Sequence, residues 1–240
     1  MAVTTMNTIH KLKVPLVPWK AGDVLAASLA VVIVTVASIT VLALVTDDID
    51  SESALAINVS VAAVSAILLL ASWLFGPLKH SVPVATLGLR SLRSLGASQW
   101  LLPLMALAIV LVFNGIYGVV MSELGWGVLE PPDPPFDADF GATSLVIAGI
   151  LIIGVGPFAE EVFFRGFVLA GLARRWGPVT GLLASSLLFS LAHGSVALLI
   201  PIFVAGSMLA WLYLRTGSLR ASVLAHSAQN AVAFAVTVGT

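Results

Sequence analysis

Residues 24–46 read VLAASLAVVIVTVASITVLALVT, a run of 23 residues without a single charged side chain. An α-helix needs about 20 consecutive apolar residues to cross the hydrocarbon core of a bilayer. Residues 54–75 and 100–122 are two further uncharged runs of similar length. Three such runs predict that the chain spans a membrane as α-helices and does not fold as a soluble domain.

The composition of the whole chain supports a membrane protein. Of the 240 residues, 59% are hydrophobic and 10% are charged, whereas soluble domains carry about 25% charged residues. The absence of cysteine excludes disulfides and thiolate metal ligands. The net charge of −1 says nothing about nucleic acid, and no basic block or interleaving of basic and aromatic residues suggests it as a partner. We therefore expect the chain to lie in the lipid bilayer and to bind no nucleic acid.

Apolar segments continue through the C-terminal half and bring the total to about seven spans. The later segments are 142–172, the short 179–193, 196–214 and 221–238. The predicted fold is an all-α, polytopic transmembrane helix bundle. Residues 1–23 are predicted to be a cytoplasmic N-terminal segment, and 24–240 a single transmembrane domain. The motif-bearing core of that domain is 142–238.

The charged residues between the spans are separated by sign. Under a seven-span count the basic residues fall on one side of the membrane: Lys11, Lys13, Lys20, Lys79, Arg90, Arg93, Arg174, Arg175, Arg215 and Arg220. The acidic residues fall on the other: Asp47, Asp48, Asp50, Glu52, Glu123, Glu130, Asp133, Asp137 and Asp139. Only Asp23 lies with the basic group. Because basic loops stay in the cytoplasm, the N-terminus is predicted inside and the C-terminus outside.

Three charged side chains remain inside the apolar segments, namely Glu160, Glu161 and Arg165. A charge at the bilayer centre costs about 2.5–3.5 kcal/mol on insertion scales, so such residues usually have a partner and a function. Glu161 and Arg165 are four residues apart with the acid first, which favours an ion pair on one helix face. Glu160 points about 100° away from Glu161 and has no such partner in its own helix.

Two histidines and an amide lie in the later spans. His193 ends the fifth span, and His226 shares one face of the seventh span with Asn230. At a rise of about 1.5 Å per residue, these residues and Glu160 all lie between the inner half and the middle of the bilayer. Together they predict a hydrolytic site with a glutamate as general base, a histidine as proton shuttle, and histidine plus asparagine as oxyanion donors.

Three motifs carry these residues in chain order. EEVFFRG at 160–166 resembles the EExxxR motif of the CAAX-protease and bacteriocin-processing family, FSLAH at 189–193 its FxxxH motif, and HSAQN at 226–230 its HxxxN motif. The resemblance covers 157–231 and implies an intramembrane endopeptidase similar to type II CAAX prenyl endopeptidases. Its substrate would be a membrane-associated peptide or protein, either CAAX-like or of bacteriocin type. We expect an integral multi-pass protein of a prokaryotic plasma membrane.

The resemblance also implies four catalytic residues. Glu160 would activate a water molecule with the help of His193, and His226 with Asn230 would stabilise the oxyanion of the tetrahedral intermediate. The reaction would thus use glutamate-activated water.

Three supporting residues follow from the same resemblance. Glu161 would be locked to Arg165, in agreement with their spacing. Phe189, one turn before His193, would support the site, although an ordinary place in the apolar core explains it equally well.

Metal dependence is an open alternative. Glu160, His193 and His226 could ligate zinc in the manner of three-ligand hydrolytic sites, which would make the chain a metalloendopeptidase. However, the chain has no HExxH motif, and asparagine is a poor zinc ligand. We therefore favour no cofactor.

Two other functions compete with proteolysis. Buried Glu, Arg and His residues also form the ion relays of transporters, but the polar residues form a single set and the chain lacks repeated halves. A non-catalytic immunity or scaffold protein on the same fold is the second alternative, and the complete motif set argues against it.

The separation of charges makes the topology testable. A reporter that is active only outside the cytoplasm should be active when fused after Thr240 and silent when inserted near Arg90. Reporter activity in intact cells is the measurement. A cytoplasmic C-terminus would indicate an even number of spans, with 179–214 crossing the membrane only once.

Overall fold

Seven long or medium helices make up most of the described part of the chain. The computed structural model describes residues 8–9, 12–45, 54–89, 100–132 and 141–239. The helices are α1 Ala21–Val45, α2 Ala54–Leu78, α3 Leu101–Glu123, α4 Ala142–Trp176, α5 Pro178–Leu191, α6 Leu199–Thr216 and α7 Leu219–Gly239. Two-residue strands, β1 Thr8–Ile9 and β2 Leu12–Lys13, form a small antiparallel hairpin before α1.

Six of these helices are long and apolar enough to cross a membrane, and α5, with 14 residues, is shorter. Their outer faces carry large apolar side chains, such as Leu29 and Ile33 on α1 and Val112 and Ile116 on α3. Such extensive apolar surface is stable only when lipid or protein covers it. The predicted all-α, polytopic bundle is confirmed, and the chain is an integral multi-pass membrane protein. The sidedness of the bundle stays a prediction.

The fifth span differs from its predicted bounds. The sequence predicted it over 179–193, with His193 at its end, but α5 stops at Leu191. The amide of His193 bonds back to the carbonyl of Ser190, three residues earlier, and Gly194 follows with a φ of 66°. This tight turn ends the helix, so His193 lies in the loop beyond α5. A loop position can direct the imidazole away from the helix axis.

Helix α4 is the centre of the bundle. Every residue over 161–173 is buried, and this part of α4 packs against α2, α5, α6 and α7. The single residue Gly177 connects α4 to α5, and its φ of 84° is one that glycine adopts readily. At Gly181 a Cβ atom would lie 2.7 Å from the amide nitrogen of Ala173. Glycine at that position therefore lets α5 lie directly against α4.

The backbone of α4 is not uniformly α-helical. Two π-helical stretches, Ile150–Val155 and Val162–Leu169, flank the α-helical segment Gly156–Glu161. Pro157 lies in that segment and lacks the amide proton that would bond to the preceding turn, which explains an irregular ladder at this point. π-Helical turns are rare and often mark functional sites. In this chain they bracket the pair Glu160 and Glu161.

The residues before α1 are packed against the bundle. Val14, Val17 and Trp19 are buried, and the ammonium group of Lys13 donates to the carbonyl of Thr216 at the end of α6, at 3.1 Å. The division into an N-terminal segment 1–23 and a transmembrane domain stays a prediction. Several residues used for the topology lie outside the described residues, namely Lys11, Asp47, Asp48, Asp50, Glu52, Arg90, Arg93, Asp133, Asp137 and Asp139.

Candidate active site

A buried ion pair lies in the centre of the bundle. Nη1 of Arg165 donates to Oε1 of Glu161 at 2.6 Å, and both side chains are fully buried. Nη2 of Arg165 donates to the carbonyl of Gly206 at 3.1 Å, and the guanidinium carbon lies 4.3 Å from the centroid of the Phe189 ring. A buried pair pays a large desolvation cost, which these additional contacts offset. The predicted pairing of Glu161 with Arg165 is present.

His226 connects α7 to the acidic pair on α4. Its Nδ1 lies 3.0 Å from Oε1 of Glu161, and its Nε2 lies 3.7 Å from Oε2 of Glu160. Because an ionised carboxylate only accepts hydrogen bonds, Nδ1 carries the proton in the contact with Glu161. The buried imidazole is thereby held with Nε2 directed toward Glu160. Sequence spacing did not predict this bridge, since it joins residues on two different helices.

The two neighbouring glutamates occupy different surroundings. The side chain of Glu161 is 0% exposed and is bonded to Arg165 and His226, whereas that of Glu160 is 27% exposed. Among the described residues, His226 is the basic side chain that comes within 4.0 Å of a Glu160 oxygen. Glu160 therefore has an accessible carboxylate that no Arg or Lys of the described residues neutralises by direct contact. A carboxylate in this state can accept a proton from water.

His193 is oriented by the helix that precedes it. Its Nδ1 lies 2.8 Å from the carbonyl oxygen of Phe189, one turn back in α5. A carbonyl oxygen only accepts, so Nδ1 carries the proton and Nε2 keeps its lone pair. The imidazole is exposed, which leaves Nε2 free to take up a proton.

Phe189 lies between the two histidines. Its ring centroid is 4.9 Å from that of His193 and 5.8 Å from that of His226, both in edge-to-face geometry. The ring of Phe189 also contacts the ring of Phe164 and the guanidinium of Arg165. Phe189 is thus buried in the apolar core and also touches three polar members of the site. The sequence left open whether Phe189 supports the site or is an ordinary residue of the apolar core, and these contacts are compatible with both interpretations.

The loop that carries His193 is tied to neighbouring elements. The hydroxyl of Ser190 donates to the carbonyl of Leu199, across the loop at the start of α6. The hydroxyl of Tyr117 on α3 lies 3.4 Å from the carbonyl of Ala197 and 3.1 Å from that of Leu129. Sequence reasoning did not identify Ser190 or Tyr117. A serine or tyrosine within an apolar segment is too common to signal such a role.

Asn230 is held by an irregular turn of α4. Its Nδ2 donates to the carbonyl of Ile152 at 2.9 Å. The amide of Gly156 bonds to the carbonyl of Leu151, five residues back, so the next donor in this π-helical register would be residue 157. Residue 157 is proline and has no amide proton. Asn230 supplies the missing donor with one of its two N–H groups and keeps the other available.

The structure brings part of the predicted site directly together. Glu160, Glu161, Arg165 and His226 form one contiguous group, and Phe189 links that group to His193 by ring contacts. Asn230 lies one turn beyond His226 on α7 and is oriented by α4. The group joins α4, α5 and α7, the three helices that carry the three motifs.

The zinc alternative requires the side chains of Glu160, His193 and His226 to lie close enough together to bind one metal ion. In the part of the chain that the structure describes, no three His, Cys, Asp or Glu side chains are arranged to hold a metal ion. The arrangement therefore does not fit the three-ligand zinc site, and the assignment as a metalloendopeptidase is not supported.

Comparison with protein-family models gives a match to the C-terminal part of the chain. A protein-family model described as type II CAAX prenyl endopeptidase Rce1-like matches residues 142–232. The matched segment contains the three motifs, with Glu160, Glu161, Arg165, Phe189, His193, His226 and Asn230, and agrees with the resemblance that these motifs carry. No curated protein and no solved structure is significantly similar to the chain.

The buried ion pair yields a stability prediction. Arg165→Ala should lower the free energy of unfolding by about 3–5 kcal/mol, because it leaves Glu161 buried without its charged partner. The matched control is Arg175→Ala, which removes an exposed arginine from the end of the same helix and should change stability little. Unfolding in mixed detergent micelles measures both. An Arg165→Ala protein that is inactive yet as stable as the wild type would assign Arg165 to catalysis instead.

Proposed function

We propose that the chain hydrolyses a peptide bond of a membrane-associated substrate with water activated by Glu160, and we base this on the match of residues 142–232 to the type II CAAX prenyl endopeptidase Rce1-like family model. The observation that carries this proposal is the difference between the two adjacent glutamates. Glu161 is buried and paired, whereas Glu160 is accessible and lies beside His226. An unneutralised carboxylate in an apolar bundle needs a function to explain it, and proton transfer provides one.

The first chemical step is the activation of water. Glu160 removes a proton from a water molecule as the oxygen of that water attacks the carbonyl carbon of the scissile bond. The new C–O bond forms while the carbonyl π electrons move to oxygen, which gives a tetrahedral oxyanion. His193 assists because its Nε2, the nitrogen not bonded to Phe189, accepts a hydrogen bond from the same water.

The oxyanion is stabilised by groups on α7. The free N–H of Asn230 and, when protonated, Nε2 of His226 are the donors. Each donor in a preorganised oxyanion hole contributes about 2.7–4 kcal/mol to transition-state stabilisation. Collapse of the intermediate breaks the C–N bond, and the proton taken from water passes to the leaving amine nitrogen.

Glu161 and Arg165 act on the reaction only through His226. The bond from Nδ1 of His226 to Glu161 fixes the imidazole plane, so Nε2 faces Glu160. Arg165 in turn fixes Glu161. This orientation keeps the donor in place before the charge develops, which reduces the reorganisation needed in the transition state.

The substrate is proposed to reach the site from the membrane. The helices around the site are apolar, and a membrane-anchored peptide would present its scissile bond within the bilayer. We propose a CAAX-type peptide as the substrate, with bacteriocin-type precursors as the second candidate. We further propose that the protein resides in a prokaryotic plasma membrane with α4 and α5 joined on the cytoplasmic side, where Arg174 and Arg175 lie.

Glu160→Gln tests the central step. The substitution keeps the size of the side chain and its hydrogen bonding but removes the base, so cleavage should fall by at least about 100-fold with unchanged stability. Cleavage of a prenylated CAAX peptide by purified protein in proteoliposomes is the measurement, together with a survey of membrane peptides in cells. The matched control is Glu123→Gln, at the exposed end of α3, which should retain wild-type turnover.

The same preparations separate the competing functions. Appreciable turnover by Glu160→Gln would remove Glu160 from the mechanism. Proton-coupled uptake by the vesicles without peptide cleavage would favour a transporter, in which buried acids relay protons. A wild-type protein that neither cleaves peptide nor takes up protons would favour the non-catalytic scaffold alternative.

Metal removal tests the proposed independence from zinc. Activity should survive exhaustive treatment with a membrane-permeant chelator, and the purified protein should contain no stoichiometric metal. His193→Ala and Asn230→Ala should each lose activity without any change in metal content. One zinc ion per chain, lost together with activity in both His193→Ala and His226→Ala, would replace the glutamate mechanism with a metal-dependent one.

A further inference from the structure

A tryptophan far from the motifs is bonded to the helix that carries the acidic pair. The side chain of Trp19 is fully buried, and its Nε1 donates to the carbonyl of Phe167 at 2.9 Å. The two rings also stack, with centroids 5.6 Å apart and planes inclined by 28°. Trp19 belongs to residues 14–20, which lead into α1 and which we call the N-terminal strap. The motifs do not include this residue.

The carbonyl that Trp19 binds lies in the π-helical stretch Val162–Leu169. This stretch begins directly after Glu161 and contains Arg165. A π-helical turn holds more residues than an α-helical turn, so it rotates the preceding segment relative to the following one. The direction in which Glu160 and Glu161 point therefore depends on whether this stretch keeps its π-helical geometry.

Two side chains outside α4 bind carbonyls of this stretch. Nε1 of Trp19 donates to Phe167, and the hydroxyl of Ser185 on α5 donates to Phe164 at 2.7 Å. The carbonyl of Phe167 also accepts from the amide of Ala170, three residues later, where the π-helical stretch ends. The indole of Trp19 is thus a second donor to this carbonyl, and both side-chain bonds hold the irregular stretch against its neighbours.

The indole of Trp19 also fits a slot formed by two glycines. A Cβ atom at Gly171 on α4 would lie 2.9 Å from Cδ1 of Trp19 and 2.8 Å from Val24. A Cβ atom at Gly76 on α2 would lie 3.6 Å from Cε3 of Trp19 and 3.2 Å from the ring of Phe167. The indole is therefore wedged between α2 and the part of α4 that follows the π-helical stretch.

Further bonds hold the strap in place. Nη1 of Arg174 on α4 donates to the carbonyls of Val17 and Pro18 at 2.6 and 2.8 Å. Just after the strap, the carboxylate of Asp23 accepts from Lys79 of α2 at 2.6 Å. The strap is thus bonded to α4 on one side of Trp19, and α1 is bonded to α2 on the other.

We propose that Trp19 is a positioning residue for the active site, and that it acts by holding the π-helical register of Val162–Leu169. The inference rests on the proposed protease function. In this mechanism the strap aligns Glu160 with His226 without touching substrate. Loss of the indole N–H removes one of the two donors to the carbonyl of Phe167, weakens the hold on the π-helical register and lets the carboxylates turn away from α7.

Trp19→Phe is the test variant because it removes the N–H donor and retains an aromatic ring. In the peptide cleavage assay, kcat should fall by about 10- to 100-fold, the usual effect of misplacing a catalytic group by about 1 Å. KM should stay within about twofold, because the residue does not contact substrate. The matched control is Trp176→Phe, at the exposed C-terminal end of α4, which should leave kcat unchanged.

A second pair of variants displaces the indole without altering it. Gly171→Ala places a methyl group against Trp19 and should reproduce the loss in kcat. Gly22→Ala is its control, since a Cβ atom at Gly22 meets nothing within 4 Å. All variants are compared at a temperature well below their unfolding, so that a loss of folded protein does not contribute to kcat.

Hydrogen exchange provides a readout that does not depend on protease activity. Amides of 162–169 should exchange faster in Trp19→Phe than in the wild type, while those of α3 stay unchanged. Faster exchange together with a selective fall in kcat supports the proposal. Unchanged exchange, an unchanged kcat, or a KM that rises in proportion to the fall in kcat overturns it. If the wild type cleaves no peptide, the proposed function fails, and the exchange result alone decides whether Trp19 holds the stretch.

Discussion

The bond between Glu161 and Arg165 is the interaction on which the site depends. Two opposite charges buried in an apolar bundle are stable only as a pair with further hydrogen bonds. Here Arg165 bonds to the carbonyl of Gly206 on α6 and lies over the ring of Phe189 on α5, and Glu161 bonds to His226 on α7. The need to satisfy one buried pair therefore brings three other helices to a defined place around α4.

The same pair creates the chemical difference between two adjacent carboxylates. Glu161 receives both strong donors, and Glu160, one residue earlier, is left accessible and close to His226. Catalytic sites commonly use two like groups whose surroundings give them separate roles. In this chain one glutamate orients and the other is proposed to react. Backbone rotation between consecutive residues is enough to separate their environments.

Irregular backbone is a second constraint that the bundle has to satisfy. In the first π-helical stretch of α4, Pro157 leaves the carbonyl of Ile152 without a backbone donor, and in a membrane such a carbonyl needs a partner from the protein. Asn230 supplies that partner from α7, and Ser185 of α5 and Trp19 of the N-terminal strap add donors to carbonyls of the second stretch. The irregular turns thus connect the motif helix to distant parts of the chain, and one of these partners, Asn230, is a proposed catalytic residue.

The sequence by itself determined the features that depend on neighbours within one helix. Uninterrupted apolar runs predicted the helical membrane bundle, and the spacing of Glu161 and Arg165 predicted their bond, because a helix places residues four apart on one face. The three motifs identified the candidate residues and the family that the chain resembles. Only the tertiary structure decided that His226 bonds to Glu161, that His193 lies beyond the end of α5, and that Asn230 and Trp19 bind carbonyls of α4. These contacts depend on how the helices rotate and pack against one another and on the two π-helical stretches of α4. The periodicity of residues within one helix predicts neither the packing nor the π-helical stretches.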